Sequence, residues 1–400
     1  LSYDYSYYKE IFQHIPMPYA FCDMNQLQQN MQHILDLNHG KKIRIASKSI
    51  RCLSILKKIF NASDQFQGIM CYSPEEAVFL CEQGFDDILI AYPITNPIHI
   101  TYIIKQLQQQ KQIILMVDCL AHIQYIEQVA KEHDCIVPLC IDIDMSSVFF
   151  HGLLHFGVHR SPLRHTDEII ELAEHIQSSP YTTLQGIMGY EAQIAGLPDD
   201  TARQKWKNTL ITLLKKKSYQ QVKHRRQEIV QSLHERGIHL PIVNGGGTGS
   251  IHWTSTEDVI TEITVGSAFF APSLFDPYRA LNLRPAALYA IEIVRKPSEH
   301  MYTCLGGGYV ASGQSGKDKL PLPYLPAGGQ LLTMEGAGEV QTPISFRSSP
   351  EVRLEIGDPI FMRHSKAGEL CERFNELYIV ENGAIQGTHT TYRGDGKCFI

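Results

Sequence analysis

From about residue 43 to residue 270 the chain repeats one pattern. A short, nearly unbroken apolar run is followed by a longer stretch whose apolar positions recur at helical spacing. The runs are Ile43–Ser47, Gly68–Cys71, Asp87–Ala91, Ile113–Val117, Ile136–Ile141, Leu184–Gly189, Ile242–Asn244 and Ile263–Gly266. Strands buried on both faces carry Val, Ile and Leu at successive positions, whereas half-exposed strands alternate. These eight runs are of the first kind. Helical patterns lie between most of them, at Pro74–Gly84, Pro97–Gln110, Ile123–His133 and Asp167–Ser178, and two more are expected between Asp199 and Arg236. Eight β/α units in this length predict a closed (β/α)8 barrel, the TIM-barrel architecture; a doubly wound open sheet is the alternative, since it repeats the same units.

Beyond about Leu281 the pattern changes. Glycine, proline and β-type runs dominate, with strands expected at Leu288–Val294, Tyr302–Cys304, Gly338–Gln341, Pro359–Arg363 and Glu376–Val380. The chain is therefore expected to comprise a barrel over residues 24–280 and a mostly β domain over 281–400. Residues 1–23 go with the second part, because the run Tyr19–Asp23 precedes the first barrel strand and is free to pair elsewhere.

Composition narrows the function. A formal charge of −6 over 400 residues, without an extended basic stripe, argues against a nucleic-acid partner. The densest basic patch, Lys215–Lys217 with His224–Arg226, reads as the solvated face of a helix. The ten cysteines are scattered without a CxxC pair; Cys71, Cys119 and Cys140 sit in or beside apolar runs, and Cys398 in the tail is expected to be a small buried thiol. This usage predicts a reducing, cytoplasmic setting. No apolar run is long enough to span a bilayer, so no membrane partner is expected.

The candidate chemistry lies at strand ends. Lys48, in Arg44-Ile45-Ala46-Ser47-Lys48-Ser49, follows the first strand; Gly245-Gly246-Gly247-Thr248-Gly249-Ser250 follows the seventh; Gly266-Ser267 follows the eighth. In a barrel all three face one mouth, where reacting groups gather and phosphates bind after strands seven and eight. Glycines admit backbone N–H groups close to a phosphate, and hydroxyls of Thr248, Ser250 and Ser267 are further donors. An amine facing a phosphate cradle is what pyridoxal 5'-phosphate requires. His155 and His159 have the i, i+4 spacing of a metal pair, but Gly152 and Gly157 argue against a helix there.

Several of these segments resemble the fold-type III pyridoxal-phosphate enzymes, the group of alanine racemase, D-threonine aldolase and D-serine dehydratase. They are the Lys48 segment, Gly189-Tyr190-Glu191-Ala192-Gln193, the Gly246-Gly247 loop and Val265-Gly266-Ser267. Glu335–Gln341, Gly357-Asp358, Arg363–Glu369 and Phe374–Leu377 are similar to the amino-acid deaminase/aldolase branch. The resemblance implies that Lys48 forms an aldimine with the cofactor. It implies that Gly246, Gly247, Thr248, Gly266 and Ser267 bind the phosphate, that Tyr190 is catalytic and packs by the cofactor, and that Arg160 points toward the pyridine ring. Aldolase and dehydratase members carry a metal-binding His-x-Cys or His-x-Asp. Here His364-Ser365-Lys366 is followed by cysteine only at Cys371, so no metal ligand is assigned.

The expected activity is that of a lyase, aldolase or deaminase acting on a small D-amino acid. Alternatives are a racemase, for which Tyr302, Tyr309 and Tyr324 are the available second bases, and a non-catalytic pyridoxal-phosphate homeostasis protein. A homodimer is expected, with the His364–Glu369 segment and the Gly306–Gly308 loop as candidates to complete a neighbouring subunit's site.

Overall fold

A computed structural model describes residues 3–149, 154–201, 205–314 and 316–399. Eight parallel strands close into a barrel: Lys42–Ala46, Phe66–Cys71, Ile88–Pro93, Ile113–Val117, Val137–Asp142, Thr182–Gly189, Ile242–Gly245 and Glu262–Val265. Each coincides with one of the apolar runs read from the sequence, and the barrel, not the open sheet, is the architecture. Closure is made by the eighth strand, whose Glu262–Val265 pairs in parallel with Lys42–Ile45 of the first.

The unbroken apolar character of the strands follows from their two covered faces. One face, including Ile43, Ile45, Ile88, Ile90 and Leu115, belongs to the main core with the helices. The other contributes Leu89, Ile114, Met116, Cys140 and Met188 to a separate cluster. Beside the strands that close the barrel, a polar group is buried. Arg44 donates from Nε and Nη2 to the two Glu262 oxygens at 2.7 and 2.9 Å and from Nη2 to Asp87 at 2.9 Å, while Asn244 donates to Glu262 and Thr264, each at 2.8 Å. A bidentate pair with its remaining positions bonded is the form in which a buried charge is tolerated.

Helix starts follow local chemistry. Ser73 accepts from the Glu76 amide and Pro74 opens the helix Pro74–Glu82; Asn96 and Pro97 do the same for Pro97–Gln108. The stretch expected to hold two helices after Asp199 contains one, Lys205–Glu235. The solvated-face reading holds for Lys216, Lys217 and His224, which are exposed, and is corrected at Lys215 and Arg226, which are fully buried. Lys215 reaches Asp199 at 3.0 Å, and Arg226 reaches Glu191 at 3.1 Å and Glu257 at 2.5 Å.

The second domain is built on a nine-stranded sheet. Its long strand Ala287–Ser298 pairs antiparallel with Tyr19–Asp23, Met301–Leu305 and Pro359–Arg363. Tyr19–Asp23 also pairs in parallel with Glu376–Glu381, so the start of the chain is woven into this sheet. The strand expected at Gly338–Gln341 instead begins at Gln341 and runs to Phe346. Leu322–Leu325, Gly329–Leu331 and Ala384–Thr390 complete the sheet. After the last strand the chain returns to the barrel: the Tyr392 amide donates to the Arg51 carbonyl at 2.9 Å and its hydroxyl to Glu76 at 3.2 Å. Glu76 also accepts from the Ser47 hydroxyl at 2.6 Å, so this tail abuts the turn that carries Lys48.

All ten cysteines are free thiols. Cys71 and Cys140 are buried as expected, Cys119 is half-buried, and Cys398 is exposed rather than buried. Among the described residues no helix is long and apolar enough to cross a membrane.

Candidate active site

The first strand ends at Ala46, and Ser47–Ser49 form a single 3-10 turn that turns Lys48 into the barrel mouth. Arg51, just after it, takes a left-handed backbone at φ 49°, and Ala367, packed nearby, does so at φ 39°. Side chains other than glycine hold that conformation at a cost of roughly 1 kcal/mol each, so the surrounding contacts impose it. Gly368 lies against the Lys48 carbonyl, where an added Cβ would collide with the oxygen.

The mouth opens into a cavity of about 730 Å³. Lys48, Arg160, Tyr190, Gly246, Gly247, Thr248, Gly266 and Ser267 all line it, so these eight candidates are brought to one place; Ser250 is not among the lining residues. Lys48 touches the open space of the cavity, where water reaches it, although protein surrounds the cavity on most sides. Its pKa is lowered from the ordinary 10.5, first by desolvation and then by the cations Lys366, Arg160 and Arg51; Glu76 opposes them. Tyr190 follows the sixth strand at the cavity wall, and burial, assisted by Glu191, pushes its phenol up to about 12.

Beside the Lys48 turn, two glycine loops are tied together. The Thr248 hydroxyl accepts from the Ala268 amide at 3.1 Å and so joins the loop after strand seven to the turn after strand eight. The Gly247 amide, expected to face a phosphate, donates to the Ser250 Oγ at 3.1 Å, and Ser250 donates to Glu191 at 3.0 Å. Ser250 is therefore part of the loop's own support. Glycine is required at two positions here. A Cβ on Gly247 would lie 2.8 Å from Ala195 Cβ and 3.1 Å from Tyr190 Cε2; one on Gly266 would lie 2.5 Å from Ser49 Oγ. The backbone forms a close-fitting cradle that any side chain would fill.

Arg160 serves the wall in two ways. Its Nε donates to Asp142 at 2.6 Å and its Nη2 to the Ala91 carbonyl at 2.8 Å, and its guanidinium lies over the Tyr92 ring at 4.7 Å. Burial lifts Asp142 to about 6, outweighing the lowering effect of Arg160. The guanidinium both makes a salt bridge and lines the cavity.

The histidines stand apart. His155 and His159 stack at 4.2 Å, with His155 in the short strand Leu154–Phe156; Gly152 lies outside the described residues. His364 is fully buried, edge-on to Phe270, and desolvation together with Arg363 pushes its pKa to about 3. The His364–Glu369 segment packs against its own barrel. The Gly306–Gly308 loop is held within its own domain, through Gly306 to Val340 and Gly308 to Gly338. Two features were missed in the sequence. Asp118, Cys119 and His122, at the end of the fourth strand, bring ligand atoms within 4.8 Å of one another, for which the Asp-Cys-x-x-His spacing was a signal. Lys366, set aside because lysine is a poor metal ligand, lines the cavity.

A closed parallel barrel with a lysine turn and two glycine loops at its mouth, capped by a β domain, matches the alanine racemase-like class of fold. The model of the family described as "Alanine racemase, N-terminal domain" matches residues 22–273, and the chain belongs to that family. A 3-hydroxy-D-aspartate aldolase of Paracoccus denitrificans (strain Pd 1222) is 21% identical over 258 residues, which cover 64% of this chain and 60% of the relative. The chain thus matches less than two thirds of that relative's length. Among solved structures, D-threonine aldolase from Filomicrobium marinum superposes with a TM-score of 0.78 at 16% identity, covering 95% of this chain and 96% of that one. D-threo-3-hydroxyaspartate dehydratase from Delftia sp. HT23 gives 0.72 at 17% identity, covering 95% and 98%.

Proposed function

We propose that the chain is a pyridoxal-phosphate-dependent lyase of aldolase, dehydratase or deaminase type, acting on a small D-amino acid. The observation that carries this reading is the convergence of Lys48, Arg160, Tyr190 and both glycine loops on one cavity, with Lys48 biased toward its free amine. The cradle fits the cofactor: Gly246, Thr248, Gly266 and Ser267 would hold its phosphate, and Gly247 lets the backbone approach. When bound there, the cofactor supplies an electrophilic carbonyl and an electron sink beside the substrate Cα. Lys48, once free, holds or removes a proton on its own side of the cavity. Arg160 keeps its charge at any working pH, so it favours an unprotonated partner. Tyr190 fills the wall beside it.

Lyase activity is favoured over racemisation. Within one chain Tyr302, Tyr309 and Tyr324 are absent from the cavity lining among the described residues, and Tyr302 and Tyr309 are buried in the second domain, which disfavours these two as a second base for their own or a neighbouring subunit's site. A homeostasis role is disfavoured because Lys317, Leu320, Leu322, Lys366 and Ala367 of the second domain close the mouth into a substrate-sized chamber. The relatives named above act on hydroxylated D-amino acids, which supports β-hydroxy D-amino acids as first substrates to try. A cytoplasmic homodimer is proposed with this reading.

The test is a spectral and product assay of purified protein against D- and L-amino acids, with and without divalent metal. A visible cofactor band and aldehyde or keto-acid release from a D-substrate are expected. Interconversion of enantiomers without cleavage would replace the reading with the racemase.

A further inference from the structure

The cavity lining is unequal in charge. Lys48, Arg160, Lys317, Lys319 and Lys366 face a single carboxylate, Asp318. Two of these cations are answered within the protein, Arg160 by Asp142 at 2.6 Å and Lys319 by Asp318. Lys366 is not. Its ammonium donates to the Ser312 carbonyl at 2.8 Å and the Ser312 hydroxyl at 3.2 Å, and among the described residues no carboxylate comes within ion-pairing distance. It is half-buried; burial and the neighbouring Lys319 disfavour its charged form, and Glu369 and Asp318 favour it without making contact. An ammonium whose hydrogen bonds all go to neutral acceptors has room for an anion in contact.

Its position is fixed from two sides. Gly368, two residues on, is pressed against the Lys48 carbonyl. Gly313, at φ +108°, brings the covering loop so close that a Cβ there would lie 3.6 Å from Lys366 Nζ and 3.6 Å from Lys319 Cε. The second domain thus delivers Lys366 beside the turn that carries Lys48, next to the loop after strand eight, whose Gly266 lies against Ser49 and whose Ser273 and Leu274 amides bond to the His364 and Ser365 carbonyls.

Resting on the function proposed above, we infer that Lys366 binds a second anionic group on the substrate, so that the preferred substrates are amino acids with a side-chain carboxylate. A charge-assisted hydrogen bond of this kind favours the dianionic ligand by about tenfold or more.

The test compares succinate with butyrate, four-carbon acids that differ by one carboxylate, by calorimetry on protein incubated with excess pyridoxal phosphate. Succinate is expected to bind about tenfold more tightly at low salt. Lys366→Met should abolish the difference and Lys366→Arg should retain most of it, which separates a charge effect from a folding defect. Equal binding of the two acids by the unaltered protein would overturn the inference. So would a Lys366→Met protein that keeps the preference, or one that weakens both acids alike, since the lysine would then read a carboxylate common to all amino acids. Borohydride labelling of Lys48 in the same preparation reports separately on the cofactor. A preference that depends on Lys366 without a label would sink the cofactor reading and leave the anion site standing; a label without the preference would sink the anion site alone.

Discussion

Lys48 and Lys215 are both taken partly or wholly out of water, and they are treated in opposite ways. Lys215 is fully buried on the helix Lys205–Glu235. It donates to the Leu197 carbonyl at 2.9 Å and to Asp199 at 3.0 Å, and it lies 5.1 Å from the centre of the Tyr278 ring. Desolvation lowers its pKa, but Asp199 supports its charge from both a hydrogen bond and the field. Lys48 has less burial and worse company, with Lys366, Arg160 and Arg51 all acting against its proton. The fold spends binding groups on the lysine that holds structure and withholds them from the one at the mouth. A lysine left with cations for neighbours is available as a nucleophile; one given a carboxylate is a strut.

The comparison can be broken most sharply at Lys48. Lys48→Ala should lose turnover by roughly 10³-fold or more. Borohydride reduction followed by peptide mapping should place the cofactor on Lys48 in the parent and nowhere in the variant; a label on Lys215 would invert the assignment. Next comes stability. Asp199→Asn strands a buried ammonium and should cost roughly 3 kcal/mol in denaturant unfolding, whereas Lys48→Met should be neutral or slightly stabilising. Equal losses in the two variants would show that both lysines are structural.

The smallest effect concerns protons. Because the Lys48 pKa is lowered in the folded chain, the unfolded chain holds more protons between that lowered value and 10.5. The stability of the parent relative to Lys48→Met should therefore rise with pH through this window; the penalty is full below it and gone above it. Chemical modification of Lys48 followed against pH should titrate below 10.5, and Lys366→Met should move that midpoint upward. An unmoved midpoint would mean that Lys366 does not act on Lys48.

The barrel was legible because its strands are covered on both faces, so runs such as Ile113–Val117 have no polar alternation to blur them. The glycine loops were legible for a related reason: a backbone that must approach another group leaves glycine in the sequence. Lys215, Arg226 and Lys366 were not legible. Charged residues in a helical pattern look solvated, and what buries Lys215 and Arg226 is Asp199, Glu191 and Glu257, partners that only the tertiary fold supplies. The Thr248–Ala268 bond likewise spans two strand ends, and no local pattern announces it. The expectation of two helices before strand seven was met, among the described residues, by the single long helix Lys205–Glu235.

The contact between Tyr392 and the Ser47–Glu76 pair bears on the order of folding. The strands of the barrel are synthesised long before residue 392, and the hydrogen bond from Ser47 to Glu76 joins segments that emerge early. Tyr392 reaches them from 316 positions away in sequence, a contact of the kind that forms late and slows the search for the native state. The nascent chain can thus close its barrel while the turn that presents Lys48 still lacks the support that Tyr392 gives it through Glu76.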